Sequence, residues 1–229
     1  MPNLKIQSII EHFLYLNKHV FTINDVAKVT KKKKSYLSRL LPTNPKIKRI
    51  ERGKYYIDGG DIYEMASNIV EPSYVSLMGA FRYYGLTTQM PVRVSVITTV
   101  RHRGLEFGGT AIEFVTFKAS RVFGYKKIGE VRMATVEKSI LDALYLGKPP
   151  YADIEEAFEK ALSKKAISIE KLKAYAIEMD SAPLISRLGF MLESFGAACN
   201  ELLKYKAARD VLLFGRGSKK DSRWGVLYD

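Results

Sequence analysis

The chain has 229 residues, 47% hydrophobic and 27% charged, with one cysteine and a formal net charge of +13. That length and balance allow a sizeable core in one or two domains, and the lone Cys199 excludes an intramolecular disulfide and a cysteine-rich zinc site. The start, MPNLKIQSII, lacks a long apolar stretch with a small-residue cleavage site, and no run approaches the ~18 residues that span a bilayer, so we expect a cytoplasmic protein without a membrane partner.

Ile6, Ile9, Ile10, Phe13 and Leu14 follow the spacing of one apolar helix face and predict a first helix over residues 5 to 16. Thr22, followed three positions later by Asp25, reads as a capping box with Asp in place of the usual Glu or Gln. It predicts a helix from Ile23 that buries Ile23, Val26 and Ala27. A further helix is expected from Lys33, because Leu37, Leu40 and Leu41 then form one stripe and Pro42 ends it. Ser35 and Arg39 fall opposite that stripe, with Tyr36 and Ser38 on its flanks. Ile47 to Ile50 and Lys54 to Ile57 read as strands joined across Arg52-Gly53, where glycine supplies the positive φ of a two-residue turn.

A helix, a lysine-bearing turn, a second helix and a basic hairpin are the parts of a winged helix-turn-helix, in that order. Such a module sets its second helix in a DNA major groove, with the hairpin wing beside it. Charge points the same way. Residues 1 to 58 hold 13 Lys and Arg against 4 Asp and Glu, or +9, and the remaining 171 hold 24 against 20, or +4. A lysine run is often just solvated surface. Here Lys31, Lys32, Lys33 and Lys34 sit where the backbone N–H groups of the expected recognition helix also favour phosphate. The residues expected to reach base edges are Ser35, Tyr36 and Arg39. Those expected on phosphates are Lys31 to Lys34, Lys48, Arg49, Arg52 and Lys54.

Asp58-Gly59-Gly60-Asp61 closes the wing and reads as a linker, dividing residues 1–60 from 61–229. A helix is expected over Ile62 to Val70, then a break at Glu71-Pro72-Ser73 and another helix from Tyr74 to Tyr84, ended by Gly85 in a left-handed cap. Strands are expected over Val92 to Thr99, Thr110 to Phe117 and Gly129 to Met133. From Thr135 the period turns helical, with four helices marked by Val136 to Leu144, Ile154 to Ala161, Ile169 to Met179 and Ile185 to Phe195. The tail reads as a strand from Val211 to Phe214, a basic loop and a last strand from Trp224 to Tyr228. The fold class expected is therefore α+β, a winged helix-turn-helix followed by a mixed α+β domain.

Residue patterns for catalysis are missing. No Asp-x-Asp pair is present to hold catalytic cations, and neither Asp-x-Lys nor Glu-x-Lys occurs. His12, His19 and His102 have no neighbours at metal spacing, so no metal or cofactor is expected. Gly215 to Lys220 is basic but lacks the spacing of a phosphate-binding loop. We expect a chain that is not an enzyme. An RNA-binding interaction module is the alternative, kept open by Tyr55 and Tyr56 in the wing, although neither a GXXG clamp nor an aromatic sheet surface is evident.

Several runs in the second half resemble one family. They are Tyr74-Val75-Ser76-Leu77 through Tyr84-Gly85-Leu86, Val122-Phe123-Gly124, Ala134-Thr135-Val136-Glu137-Lys138-Ser139-Ile140-Leu141-Asp142, and Arg187-Leu188-Gly189-Phe190-Met191-Leu192-Glu193, with Trp224 in the last strand. In this order the chain resembles the AbiEi family of abortive-infection antitoxins and transcriptional regulators of viral defence. The resemblance implies an N-terminal domain that represses its own promoter and a C-terminal domain that neutralises a nucleotidyltransferase-like toxin. Val136 stands where relatives often carry proline, and the tail is short, so the regulator role carries over better than the antitoxin role, and a stand-alone regulator is the alternative. The partner expected is double-stranded DNA, bound by a monomer or a weak homodimer that forms on it. From the residues alone, Glu137 and Asp142 support a helix, and Arg187 and Glu193 are placed to pair with charges elsewhere.

Overall fold

The computed structural model describes residues 6–213 and 217–229; the expected helix start at Lys5 and the Phe214 to Arg216 part of the tail lie outside them. The protein is mixed α+β and divides into two compact units. One takes the chain up to Glu71 together with Lys127–Arg132; the other takes Pro72–Lys126 and Met133–Asp229. The first unit thus carries on past the Gly59-Gly60 linker, through a further helix.

The first unit opens with α1 (Ile6–Tyr15), β1 (Val20–Thr22), α2 (Ile23–Thr30) and α3 (Lys34–Leu40). A short 3-10 turn at Leu41–Thr43 leads to β2 (Ile47–Glu51), β3 (Lys54–Ile57) and α4 (Ile62–Ser67). The capping box forms as its spacing predicts. The Thr22 hydroxyl accepts from the Asp25 N–H at 3.2 Å, and the Asp25 carboxylate accepts from the Thr22 N–H at 2.8 Å. Burial works to raise the Asp25 pKa, but the Thr22 bonds and Lys18 outweigh it and hold the carboxyl below its ordinary value. Thr22 has a second duty: β1 pairs antiparallel with β3, Thr22 opposite Lys54, and completes a three-stranded sheet in the order β1-β3-β2. Three residues are too few for an alternation to show in the sequence.

The core of this unit joins Ile9, Ile10 and Phe13 of α1 to Val26, Leu37 and Leu41 and to Phe21, Ile47, Tyr55 and Ile57 of the sheet. Phe13 stacks on Phe21 with centroids 4.5 Å apart. Each such side chain stabilises the fold by roughly 1.5–3 kcal/mol on burial. Leu14 and Leu40, expected on the apolar faces, remain 40% exposed and half-buried respectively, because each lies at the end of its helix. At the hairpin tip Gly53 adopts φ +79°, as its turn requires.

The second unit holds β4 (Ser73–Ser76), α5 (Leu77–Tyr83), β5 (Arg93–Thr98), β6 (Leu105–Phe107) and β7 (Thr110–Thr116). Then come β8 (Tyr125–Ile128) and β9 (Val131–Ala134), of which the first unit takes Lys127–Arg132, and, in the second, α6 (Val136–Leu146), α7 (Tyr151–Ser163), α8 (Ile169–Glu178) and α9 (Ala182–Ser194). A 3-10 turn at Asn200–Tyr205 precedes β10 (Val211–Leu212), β11 (Lys219–Asp221) and β12 (Val226–Tyr228). The strands make a six-stranded sheet, β6-β7-β5-β4-β9-β8, and a three-stranded one, β10-β12-β11. The four expected helices are α6 to α9. The helix expected from Tyr74 is corrected: Ser73 to Ser76 are a strand, and the helix begins at Leu77. The physical reason is the place of β4 between β5 and β9, where every one of its residues is buried. A strand covered on both faces loses its alternation and reads like a buried helix turn. Gly85 does take the left-handed conformation after this helix, at φ +65°. Among the described residues no helix is long and apolar enough to cross a membrane.

Candidate nucleic-acid interface

In the first unit α3 buries Leu37 completely and leaves Ser35, Tyr36, Ser38 and Arg39 exposed. The turn before it is made by lysines. Lys31 closes α2 in the left-handed conformation, φ 57°, and Lys33 is the extended N-cap of α3. Lys31, Lys33 and Lys34 are exposed, and Lys32 is half-buried.

A groove of about 430 Å³ lies between α3 and the β2–β3 hairpin, bordered by Lys34, Ser35 and Ser38 on one side and Arg49, Arg52 and Gly53 on the other. Helix and hairpin therefore present polar and basic groups to one space. A second groove of about 430 Å³ runs between α2 and α3, bordered by Asn24, Ala27, Lys28, Lys31 and Lys34. Lys34 borders both. Tyr36 and Arg39 are exposed but border neither groove. The Arg39 Nε donates to the Ser35 carbonyl at 3.3 Å, which uses one nitrogen of its guanidinium.

The remaining basic candidates differ in their commitments. Lys48 faces Asp58 at 3.0 Å across an exposed pair, which holds it weakly. The Arg49 Nε donates to the Glu51 carbonyl at 3.3 Å, beside the irregular register between Arg49 and Glu51. Lys54 is half-buried, donates to the Ile69 carbonyl and pairs with Glu51 at 2.7 Å, so its charge is spent within the unit. Tyr55 and Tyr56 are buried, which leaves no ring of theirs for a base to stack on. Lys28 and Asn24 escaped the sequence reading. Their position on the exposed flank of α2 follows from the helix period once Val26 is known to face inward.

Three of the motif runs of the second unit, those with Tyr74 and Ser76, with Phe123 and Gly124, and with Lys138 and Asp142, meet in one buried cluster. Lys138 and Asp142, one helical turn apart on α6, have no solvent exposure and pair directly. The other Asp142 oxygen accepts from the Ser76 hydroxyl at 2.8 Å and the Tyr74 hydroxyl at 3.2 Å. The Lys138 ammonium lies 5.2 to 5.5 Å from the ring centroids of Phe123, Phe117 and Tyr74. Burial pushes the Asp142 carboxyl up and the Lys138 ammonium down, and their mutual attraction opposes both shifts. Three donors on one carboxylate fit its ionised form. At Gly124, φ +68°, a side chain would run into Tyr175 and Lys138. Glu137 faces the other way: it pairs with Lys171 at 3.1 Å and accepts from the Ser168 N–H at 3.3 Å. Gly189 lies under the Trp224 indole, where an added Cβ would come within 2.2 Å of the ring, and Glu193 accepts the indole N–H at 2.6 Å. These motif residues hold the unit together from inside.

No family model and no curated protein matches the sequence. What matches is a fold. The crystal structure of the RV2827C protein from Mycobacterium tuberculosis is similar over 96% of this chain and 89% of that one, with a TM-score of 0.63 and 12% identity.

The histidines fall in unremarkable settings. The His19 ring meets Glu64 at 3.1 Å, and His102 packs on Phe114 at 4.4 Å. Among the described residues no group of His, Cys, Asp and Glu is arranged to hold a metal ion. Cys199 is buried with its sulfur 3.7 Å from the Gly189 carbonyl.

Proposed function

We propose that the first unit is a winged helix-turn-helix, with α3 as its recognition helix and the β2–β3 hairpin as its wing, and that the chain is a transcriptional regulator bound to double-stranded DNA. The observation that carries this reading is the groove shared by Lys34, Ser35 and Ser38 with Arg49 and Arg52. A major-groove helix and a wing need that convergence of polar and basic groups. Ser35, Tyr36 and Arg39 reach base edges, Arg39 as the group for a bidentate contact to guanine. Lys31 to Lys34, Lys48, Arg49 and Arg52 neutralise phosphates, with Lys28 beside them. Lys54 drops out of that set because its ammonium serves Ile69 and Glu51. The RNA reading loses its footing with the burial of Tyr55 and Tyr56.

The resemblance to AbiEi supports the fuller reading: a cytoplasmic, autorepressing antitoxin whose second unit counteracts a nucleotidyltransferase-like toxin. The experiment is a titration of the full chain against a labelled duplex from its own promoter, in competition with unrelated duplex, beside co-expression with any toxin encoded next to it. Specific binding is expected to exceed nonspecific binding by ~10³-fold or more. Equal affinity for both duplexes refutes the regulator. Failure to relieve the toxin's growth arrest, with binding intact, leaves the regulator standing alone.

A further inference from the structure

The second unit has a cavity of about 350 Å³ between the start of α5, the strands β5 and β7, and the connection from α6 to α7. One side of it is apolar, made by Leu77 and Met78 of α5 and by Met90, Pro91 and Val92 ahead of β5. Met90 and Val92 are 73% and 88% exposed, so at this end apolar surface faces solvent. Leu77 is buried and stands in the left-handed conformation, φ 54°, where a side chain is strained and glycine is the ordinary choice. Strain of that kind gathers at ligand sites, where the side chain is kept for what it touches.

One polar group is left over inside. Ser95 is the register partner of Glu113 across β5 and β7, so the two side chains share one face of the sheet. Ser95 borders the cavity and is only 9% exposed, yet its hydroxyl bonds to no described residue. A buried hydroxyl without a partner is unfavourable, and a ligand that bonds to it relieves the penalty. The charged groups around the cavity are already engaged. Glu113 pairs with Lys148 at 2.6 Å and with Arg93 at 3.4 Å, and Asp153 accepts from the Gln89 amide at 3.0 Å. These two cations and two carboxylates balance by count. A ligand charge brought to the buried end would lose its water without gaining an uncommitted counter-charge. A neutral head group escapes that penalty, and the volume lies within the usual range of small-molecule sites.

We propose that this cavity binds a small uncharged amphipathic molecule, its apolar body against Leu77, Met78, Met90 and Val92 and its hydroxyl or carbonyl group on Ser95. The site lies within the second unit and its test needs no duplex, so it stands apart from the DNA reading. The test is a titration of the full chain, followed by amide NMR shifts, with n-hexanol and with heptanoate and hexylammonium, which carry the same hexyl tail on a charged head. Saturable shifts at Met78, Val92 and Ser95 are expected with hexanol, and binding about tenfold or more weaker with either charged analogue. Each methylene added from n-butanol to n-hexanol tightens binding by about three- to fourfold. Ser95→Ala weakens hexanol binding by about three- to tenfold, the scale of one neutral hydrogen bond. Val92→Asp, an exposed change, weakens it by about tenfold or more, and it decides the matter even where Ser95→Ala disturbs β5. Absence of saturable shifts overturns the proposal. So do shifts indifferent to both Ser95→Ala and Val92→Asp, or tighter binding of either charged analogue. Self-association of the chain that Val92→Asp abolishes and hexanol leaves unchanged also overturns it, because the apolar end then belongs to a second copy.

Discussion

Lys34 and Lys138 both stand in the first turn of a helix, where the helix dipole disfavours a cation. The two units resolve that conflict in opposite ways. Lys34 remains exposed beside two grooves and keeps its charge for the solvent side. Lys138 is fully buried, bonded to Asp142 one turn along, and surrounded by three aromatic rings. One residue type thus serves two ends. In the first unit, charge is collected at the surface, where it can act on a polyanion. In the second it is paired inside, where it joins β4 to α6. The difference teaches that basic residues mark a binding surface only where nothing inside the fold has claimed them.

The largest effect that tests this contrast is expected at Asp142. Asp142→Ala leaves the Lys138 ammonium buried without its counter-charge and takes the acceptor from the Tyr74 and Ser76 hydroxyls. Breaking a buried pair in this way costs roughly 3–5 kcal/mol. Denaturant unfolding of the full chain reads it as loss of the second unit's transition at lower denaturant. A companion change, Lys138→Met with Asp142→Leu, removes both charges yet still orphans the two hydroxyls, so it restores only part of the stability. A loss below about 1 kcal/mol in Asp142→Ala would mean that the cluster is not the internal tie that its bonds suggest.

The second expected effect falls on the exposed side. Arg39→Ala is expected to weaken specific duplex binding by ~1–3 kcal/mol and to relax preference at one base position, with no change in thermal stability. Uniform weakening on all duplexes would move Arg39 to the phosphate set. Since Arg39 borders neither groove, this measurement also decides whether the reading face extends beyond the groove that α3 shares with the hairpin.

How far the sequence reaches can be argued from the same residues. Thr22 and Asp25 were legible because a capping box is local, four residues long and chemically particular. The apolar stripes of α7 and α8 were legible because a helix half in contact with a core repeats its period for several turns, and α6, buried from Val136 to Leu144, still carries its apolar residues at helical spacing. β4 was not, since a strand buried on both faces has no alternation to show. Nor was the Lys138–Asp142 cluster legible as a cluster. The i, i+4 spacing is visible in the sequence, but such pairs are usually solvated, and the burial comes from Tyr74, Phe117 and Phe123, which are distant along the chain. The partners of Lys54 were out of reach for the same kind of reason: one acceptor, the Ile69 carbonyl, lies beyond the hairpin.

A smaller effect concerns two first-turn carboxylates, one from each unit. Burial works to raise the pKa of both Asp25 and Glu137, but the donors around them outweigh it and hold both below their ordinary values. A depressed carboxyl contributes stability that is full above its ordinary pKa, ~4, and is lost as pH falls through the folded value. Both units are therefore expected to weaken in acid. Asp25→Asn flattens the acid limb of the first unit alone and Glu137→Gln that of the second alone, when unfolding is followed from pH 6 down to pH 2. An acid limb that neither change flattens would locate the loss in other groups.

The smallest expected effect is the most discriminating, because it sets an available lysine against a claimed one. If six or so cations of the first unit neutralise phosphates, the slope of log K against log salt is roughly −5. Lys34→Ala takes one phosphate contact away and is expected to reduce that slope by about 1, with sequence preference nearly unchanged. Lys54→Ala is expected to leave the slope where it was, since its ammonium already serves the Ile69 carbonyl and Glu51. Any cost of that change appears instead as a small loss of stability in the first unit. The two variants differ by one lysine each from the same parent, so the comparison cancels the net-charge effect that complicates single measurements. Equal slopes in the two would break the rule drawn from Lys34 and Lys138, because a lysine spent inside the fold would then count at the surface as much as a free one.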